Sequence, residues 1–191
     1  SWRDAFSSFD TNPRLMDFVK VPVYDCFRDF KKRDVTGRED EVMERVWSIG
    51  GQTGWYYANF LWKFRGYIDR FSGGIGLRRG RTNPDKIYAG DALDFWRVLV
   101  ADPVNRRLLL FAEMKLPGEA WLEFKIVKRL ERWELHQTAT LRPRGLLGRL
   151  YWYSLLPFHF FIFNGMIDKL AQVETGEQFL VTGFWKNVAV R

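Results

Sequence analysis

The 191-residue chain has 30 Lys and Arg against 23 Asp and Glu, a formal net charge of +7, and an aromatic share of 17%. That length fits one domain able to bury a core, and the composition excludes disorder over most of it. A single cysteine, Cys26, excludes internal disulfides and cysteine-rich metal sites, while the scattered basic residues match no nucleic-acid-binding motif.

Residues 1–20 open with Trp2, Phe6 and Phe9 ahead of Asn12-Pro13, and read as a linker or the tail of an upstream domain. From Val21 to Val35 the chain is extended in character, because Val21, Val23, Phe27 and Phe30 alternate with charges and show no helical period. Cys26 falls here, as a small residue on a strand. A helix start follows: Thr36-Gly37-Arg38-Glu39 fits a capping box, and Val42, Met43, Val46, Trp47 and Ile49 repeat at helical spacing until Gly50-Gly51. The pattern predicts a second helix over 55–71, with Asn59, Lys63, Gly66 and Arg70 as a narrow polar stripe and an apolar remainder.

Turn signals then divide a strand meander into roughly 75–81, 91–101, 106–116, 119–129 and 132–142. Alternation puts Leu108, Leu110, Ala112 and Met114 on one face, and Ala120, Leu122, Phe124 and Ile126 on the matching face of the next strand. Leu135, Gln137, Ala139 and Leu141 share the inward face of the last one. Such strands are antiparallel with one buried side. Arg97, Glu113, Lys115 and Glu123 fall opposite, as surface ion pairs. Arg142-Pro143 ends the sheet, and a long helix is expected over 145–172; residues 173–191 carry no placeable pattern.

Within that helix, residues 150–167 run without a charge. The run just reaches the length of a membrane crossing. Pro157, His159, Asn164 and Gly165 interrupt it, and the preceding sheet needs a cover for its apolar face. Burial against the sheet is therefore expected, with no membrane span. Because 150–163 is apolar nearly all round, a second partner is expected too, either a twin subunit through this helix or an adjoining domain. The element order gives an α+β fold over 21–172 of the helix-grip kind, a curved antiparallel sheet wrapped around a long C-terminal helix.

Several stretches carry a family resemblance: Ile49-Gly50-Gly51 with Gly54-Trp55-Tyr56-Tyr57, Gly76-Leu77-Arg78-Arg79-Gly80-Arg81, Gly90-Asp91-Ala92-Leu93-Asp94-Phe95-Trp96-Arg97-Val98, Ala112-Glu113-Met114-Lys115-Leu116-Pro117-Gly118, and Arg142-Pro143-Arg144-Gly145-Leu146. With Trp121-Leu122-Glu123-Phe124, Gln137-Thr138-Ala139 and Leu150-Tyr151-Trp152-Tyr153 they span about residues 20 to 170. On these the chain resembles a bacterial family of unknown function, usually the C-terminal half of proteins that begin with a short-chain-dehydrogenase-like, NAD(P)-binding Rossmann domain. That family is similar to the helix-grip superfamily of lipid-transfer and polyketide-cyclase domains. The resemblance implies a Rossmann neighbour and no catalytic residues. NAD(P) would belong to that upstream domain, with no cofactor in this chain, since Gly74, Gly76 and Gly80 lack the dinucleotide spacing.

No nucleophile signature accompanies Cys26, His136 or His159, and no metal-ligand spacing occurs. The leading expectation is a cytoplasmic domain that holds a small apolar molecule between sheet and final helix. Trp47, Trp55, Phe60, Phe64, Phe95, Met114, Phe124, Gln137, Trp152 and His159 are the expected pocket residues, Gln137 because a buried amide needs partners. Arg78, Arg79 and Arg81 read as exposed charge rather than an anion grip. Two alternatives remain: a structural or dimerisation module without a ligand, and a cyclase- or isomerase-like enzyme.

Overall fold

The computed structural model describes residues 19–71, 73, 81, 86–172 and 188–190. The expected tail at 1–18, most of the strand expected at 75–81, Arg78, Arg79 and most of the segment after 172 lie outside them. The elements are β1 (Phe27–Asp34), α1 (Glu39–Trp47), α2 (Asn59–Phe71), β2 (Ala92–Leu93), β3 (Trp96–Asp102), β4 (Arg107–Ala112), β5 (Gly118–Arg129), β6 (Arg132–Pro143), α3 (Gly145–Ala171) and β7 (Val188–Val190). The fold is α+β, a curved antiparallel sheet with a long C-terminal helix packed on it.

The sheet runs in the order β2-β3-β4-β5-β6-β1-β7. From β3 to β6 it is a meander, as the turn signals require. β1, first in sequence, adds beyond β6 at the end of the meander: Phe27 pairs with Leu141 and Asp34 with Glu134, while Val188–Val190 extends the other edge of β1. The inward faces of β3 to β6 supply Val98, Leu108, Leu110, Leu122, Phe124, Leu135 and Ala139 to the main core. All of these except Val98 are residues that alternation assigned inward on β4, β5 and β6.

Four local expectations change. First, α1 begins at Glu39 with Arg38 as its N-cap and no side-chain cap, so Thr36 does not form the capping box. Gly37, at φ 106°, turns the chain left-handed and carries Thr36 off the helix axis; Glu39, Asp40 and Glu41 in the first turn complement the helix dipole instead. Second, α2 starts at Asn59 and not near Trp55, because Tyr56 and Ala58 are left-handed and the Asn59 Oδ1 accepts the Trp55 N–H at 2.8 Å. Third, the strand expected at 91–101 is broken between β2 and β3 by Asp94, at φ 55°. Fourth, the convex face is not simply solvated. A bulge at Val98/Val100 turns Val100 outward, where it joins Leu109 and Trp121 under Val19 and Val21. The Arg107 guanidinium fixes that strap by donating to the Val19 carbonyl at 2.9 Å.

The second half of α3 is the buried part. Phe163, Met166, Ile167 and Leu170 enter the core, each contributing about 1.5–3 kcal/mol. Together they outweigh the loss of about 3 kcal/mol expected for Pro157 inside a helix, and its ring sits exposed. The C-terminal end is tied down: Arg45 of α1 donates to the Leu170 carbonyl at 2.8 Å, and Arg33 of β1 donates to Asp168 at 2.6 Å and Asn164 at 3.1 Å. Among the described residues no helix is long and apolar enough to cross a membrane. The C-terminal part of the uncharged run packs on the core, while Leu150, Tyr153, Phe158 and Phe161 stay exposed.

Candidate functional site

Between the first half of α3, the inner side of α2 and the concave sheet lies a cavity of about 330 Å³. It exists because α2 and α3 approach the sheet without closing on each other. Asp69 of α2 is buried and accepts the Lys115 backbone N–H at 2.7 Å, which holds α2 over the chain beyond β4. α3 is held from the other side, where Trp152 stacks on Phe27 of β1 at 5.6 Å.

The walls follow helical spacing. Leu61, Phe64, Arg65 and Ile68 face inward from α2, and Tyr151, Leu155, Phe158, His159 and Ile162 from α3. The floor is the sheet, with Trp96, Met114, Ala120, Ala139 and Leu141. The volume is at the small end of the range for ligand pockets, and the wall is almost wholly apolar, as such pockets are.

Besides its tryptophans, its polar lining residues are Arg65, Thr140, Tyr151 and His159. Among the described residues Arg65 is the one lining residue with a permanent charge. It donates to the Lys115 carbonyl at 3.4 Å, and burial pushes the neighbouring Tyr151 phenol above its ordinary value while the Arg65 charge pulls it down more weakly. The indole N–H groups of Trp62, Trp96 and Trp152 are buried, and none has an acceptor among the described residues. Among the described residues no carboxylate lines the cavity.

His159 is the remaining polar group. Its ring stands edge-on to Trp152 at 5.0 Å and tilted against Phe163 at 4.9 Å. Burial lowers its pKa to about 4; Asp29 pulls it up and Lys31 pushes it down more weakly. The imidazole is therefore neutral at pH 7, and its Nδ1 has no hydrogen-bond partner among the described residues. Asp29 and Lys31 form a buried ion pair of 2.8 Å on β1, and Lys31 lies over the Phe160 ring. A neutral imidazole among donors can orient an oxygen, but nothing here activates a nucleophile.

Of the ten expected pocket residues, Phe64, Met114, Trp152 and His159 line the cavity. Trp55, Phe95 and Phe124 lie in the main core, with the Trp55 indole donating to the Asp94 carboxylate at 2.9 Å. Burial raises the Asp94 pKa, and hydrogen bonds from Trp55 and the Gly51 backbone offset part of that. Gln137 is buried beside the lining; its Nε2 donates to the Phe163 carbonyl at 3.4 Å. Trp47 packs at the core edge, and its carbonyl accepts from Arg81 at 2.8 Å. Phe60 points outward from α2 and is exposed. Sequence reasoning missed Trp62, Trp96, Arg65 and Tyr151. A stripe of Leu61, Arg65 and Ile68 was readable at i, i+4 and i+7, but which stripe faces inward depends on where α2 lands.

The other singled-out groups have structural roles. Cys26 immediately precedes β1, its thiol donates to the Tyr24 carbonyl at 3.2 Å, and burial pushes its pKa up. Arg97 with Glu113, and Arg107 with Glu123, form two separate ion pairs across neighbouring strands. His136 contacts Glu134 at 2.8 Å. Among the described residues, no group of three or more His, Cys, Asp or Glu is placed to hold a metal ion.

Residues 26–166 match the family model described as "Protein of unknown function (DUF2867)", and the chain belongs to that family. None of the curated proteins matches it. Among similar solved structures is a protein from Nitrosospira multiformis, at TM-score 0.46 and 9% identity, covering 78% of this chain and 97% of its own. A protein from Thermobifida fusca scores 0.43 at 13% identity over 77% and 95% of the two chains. DynU16, a putative protein in the dynemicin biosynthetic locus, scores 0.39 at 18% identity, covering 79% of this chain and 47% of its own.

Proposed function

We propose that this member of the family binds a small, largely apolar molecule carrying a hydrogen-bond acceptor oxygen, such as a carbonyl or carboxylate, between the sheet, α2 and α3. The observation that carries the reading is an almost wholly apolar cavity of about 330 Å³ bordered by Arg65, Tyr151 and a neutral His159 imidazole. An acceptor oxygen that meets the Arg65 guanidinium gains affinity and orientation, since a hydrogen bond to a charged group contributes about 1.5–3 kcal/mol. The apolar walls supply the rest through burial. The motif resemblance supports a setting as accessory domain to an NAD(P)-binding Rossmann domain, where this unit would hold a ligand while the cofactor sits elsewhere.

The test is titration with decanoate, decylubiquinone and emodin, following fluorescence of the cavity tryptophans. Saturable quenching by at least one is expected, and Ala139→Leu, which grows a side chain from the floor, should weaken it at least about tenfold. Silence from all three ligands, or quenching that Ala139→Leu leaves intact, overturns the reading.

A further inference from the structure

The outer faces of the two helices bordering the cavity have an unusual composition. On α2, Phe60, Phe64, Tyr67 and Phe71 repeat at i, i+4, i+7 and i+11, and all four are exposed, Phe60 by 68% and Phe71 by 96%. On α3, Leu147, Leu150, Phe158 and Phe161 are exposed by 50% or more. Phe64 and Ile68 of α2 and Phe158 of α3 are exposed and also line the cavity, so its mouth opens inside this apolar face.

Charge separates the possible occupants. Every exposed charge on α2 and α3 is a cation: Lys63, Arg70, Arg149 and Lys169. The single carboxylate of each helix, Asp69 and Asp168, is buried and engaged. At 3.6 residues per turn, Lys63 and Arg70 form a stripe beside the aromatic one, on the side away from the mouth. A second copy laid on this face by a two-fold axis would oppose like charges. Aromatic side chains flanked by cations without anions suit the interface of a bilayer with acidic headgroups.

We propose that the α2–α3 face docks on an anionic lipid surface, with the mouth at Phe64, Ile68 and Phe158 turned toward the acyl layer. Docking rests on the two helices alone. Its purpose, exchange of an apolar cargo without passage through water, rests on the cavity reading above. The aromatic stripe sinks to headgroup depth, and Lys63 and Arg70 meet lipid phosphates.

Vesicle flotation of the full chain tests it, with phosphatidylcholine alone and with about one-third phosphatidylserine. The wild-type protein should float with the acidic vesicles at about 0.1 M salt and release at about 1 M, where the screening length falls to about 3 Å. Phe60→Glu with Phe71→Glu, both outside the cavity lining, should lower partitioning at least about tenfold. Lys63→Glu with Arg70→Glu should remove the preference for acidic lipid. Both variants should keep wild-type melting and wild-type quenching by the cavity ligands. Failure of the wild-type protein to float, flotation unaffected by either pair, or a dimer dispersed by Phe60→Glu/Phe71→Glu in place of flotation overturns the proposal. Flotation without cavity quenching would sink the ligand reading and leave docking standing; the reverse would sink docking alone.

Discussion

His159 makes one identifiable contribution to the loss of stability in acid. The half-buried imidazole packs against Trp152 and Phe163, and its pKa falls from an ordinary 6.5 to about 4 because desolvation opposes the charged form. Above pH 6.5 the ring is neutral in both folded and unfolded chains and costs nothing. As the pH falls toward 4, the unfolded chain takes up a proton that the folded chain refuses, so stability is lost across that window and levels off below it. A gap of about 2.5 pH units, at about 1.4 kcal/mol each, corresponds to about 3 kcal/mol. His159→Phe keeps an aromatic ring against Trp152 and removes the titration, so at pH 7.5 it should lie within about 1 kcal/mol of wild type. Urea unfolding of both proteins between pH 7.5 and 4 isolates the effect, since His136 and every carboxylate are common to the pair. The wild-type protein should lose about 3 kcal/mol more than the variant. Parallel stability curves would refute the reasoning, because they would mean that the ring takes its proton as readily folded as unfolded.

Two further substitutions probe how the site is held. Asp168→Ala leaves the Arg33 guanidinium buried without its 2.6 Å partner, so it should cost about 3–5 kcal/mol in chemical denaturation, and Asp168→Asn less. Gly165→Ala places a methyl group inside the Tyr57 ring, which packs directly on the α3 backbone; thermal unfolding should show a loss of about 1–3 kcal/mol and cavity quenching should fall with it.

Much of the architecture was legible in the sequence because its signals are local. Alternation at Leu108, Leu110 and Ala112 and at Leu122, Phe124 and Ile126 needs only a pleated backbone to sort faces, and the structure buries these residues. Pro143 and Gly145 marked the sheet-to-helix junction for the same reason. The candidate cavity was less legible. Phe64, Met114, Trp152 and His159 reach it, but Trp55 and Phe95, on equally apolar stretches, pack beneath it in the core. The difference is made by Tyr56, Ala58 and Asp94, three left-handed residues without a glycine to announce them. They redirect the chain before α2 and before β3, and so decide which aromatic stripe meets the sheet.

The type and order of β1, α1, α2, β4, β5, β6 and α3, and the inward faces of β4 to β6, were thus set by residue spacing alone, since a strand of period two and a helix of period 3.6 sort their side chains without outside help. The uncharged stretch of α3 shows where that reach ends. Spacing could require that 150–167 be covered, but not by what. Tertiary structure decided that its second half is buried on β1, β6 and α1 while its first half borders a cavity and leaves Phe158 and Phe161 exposed. The cause is distance in sequence: Arg33 and Asp168, or Arg45 and Leu170, meet only after the sheet has curved and brought the two ends of the chain together.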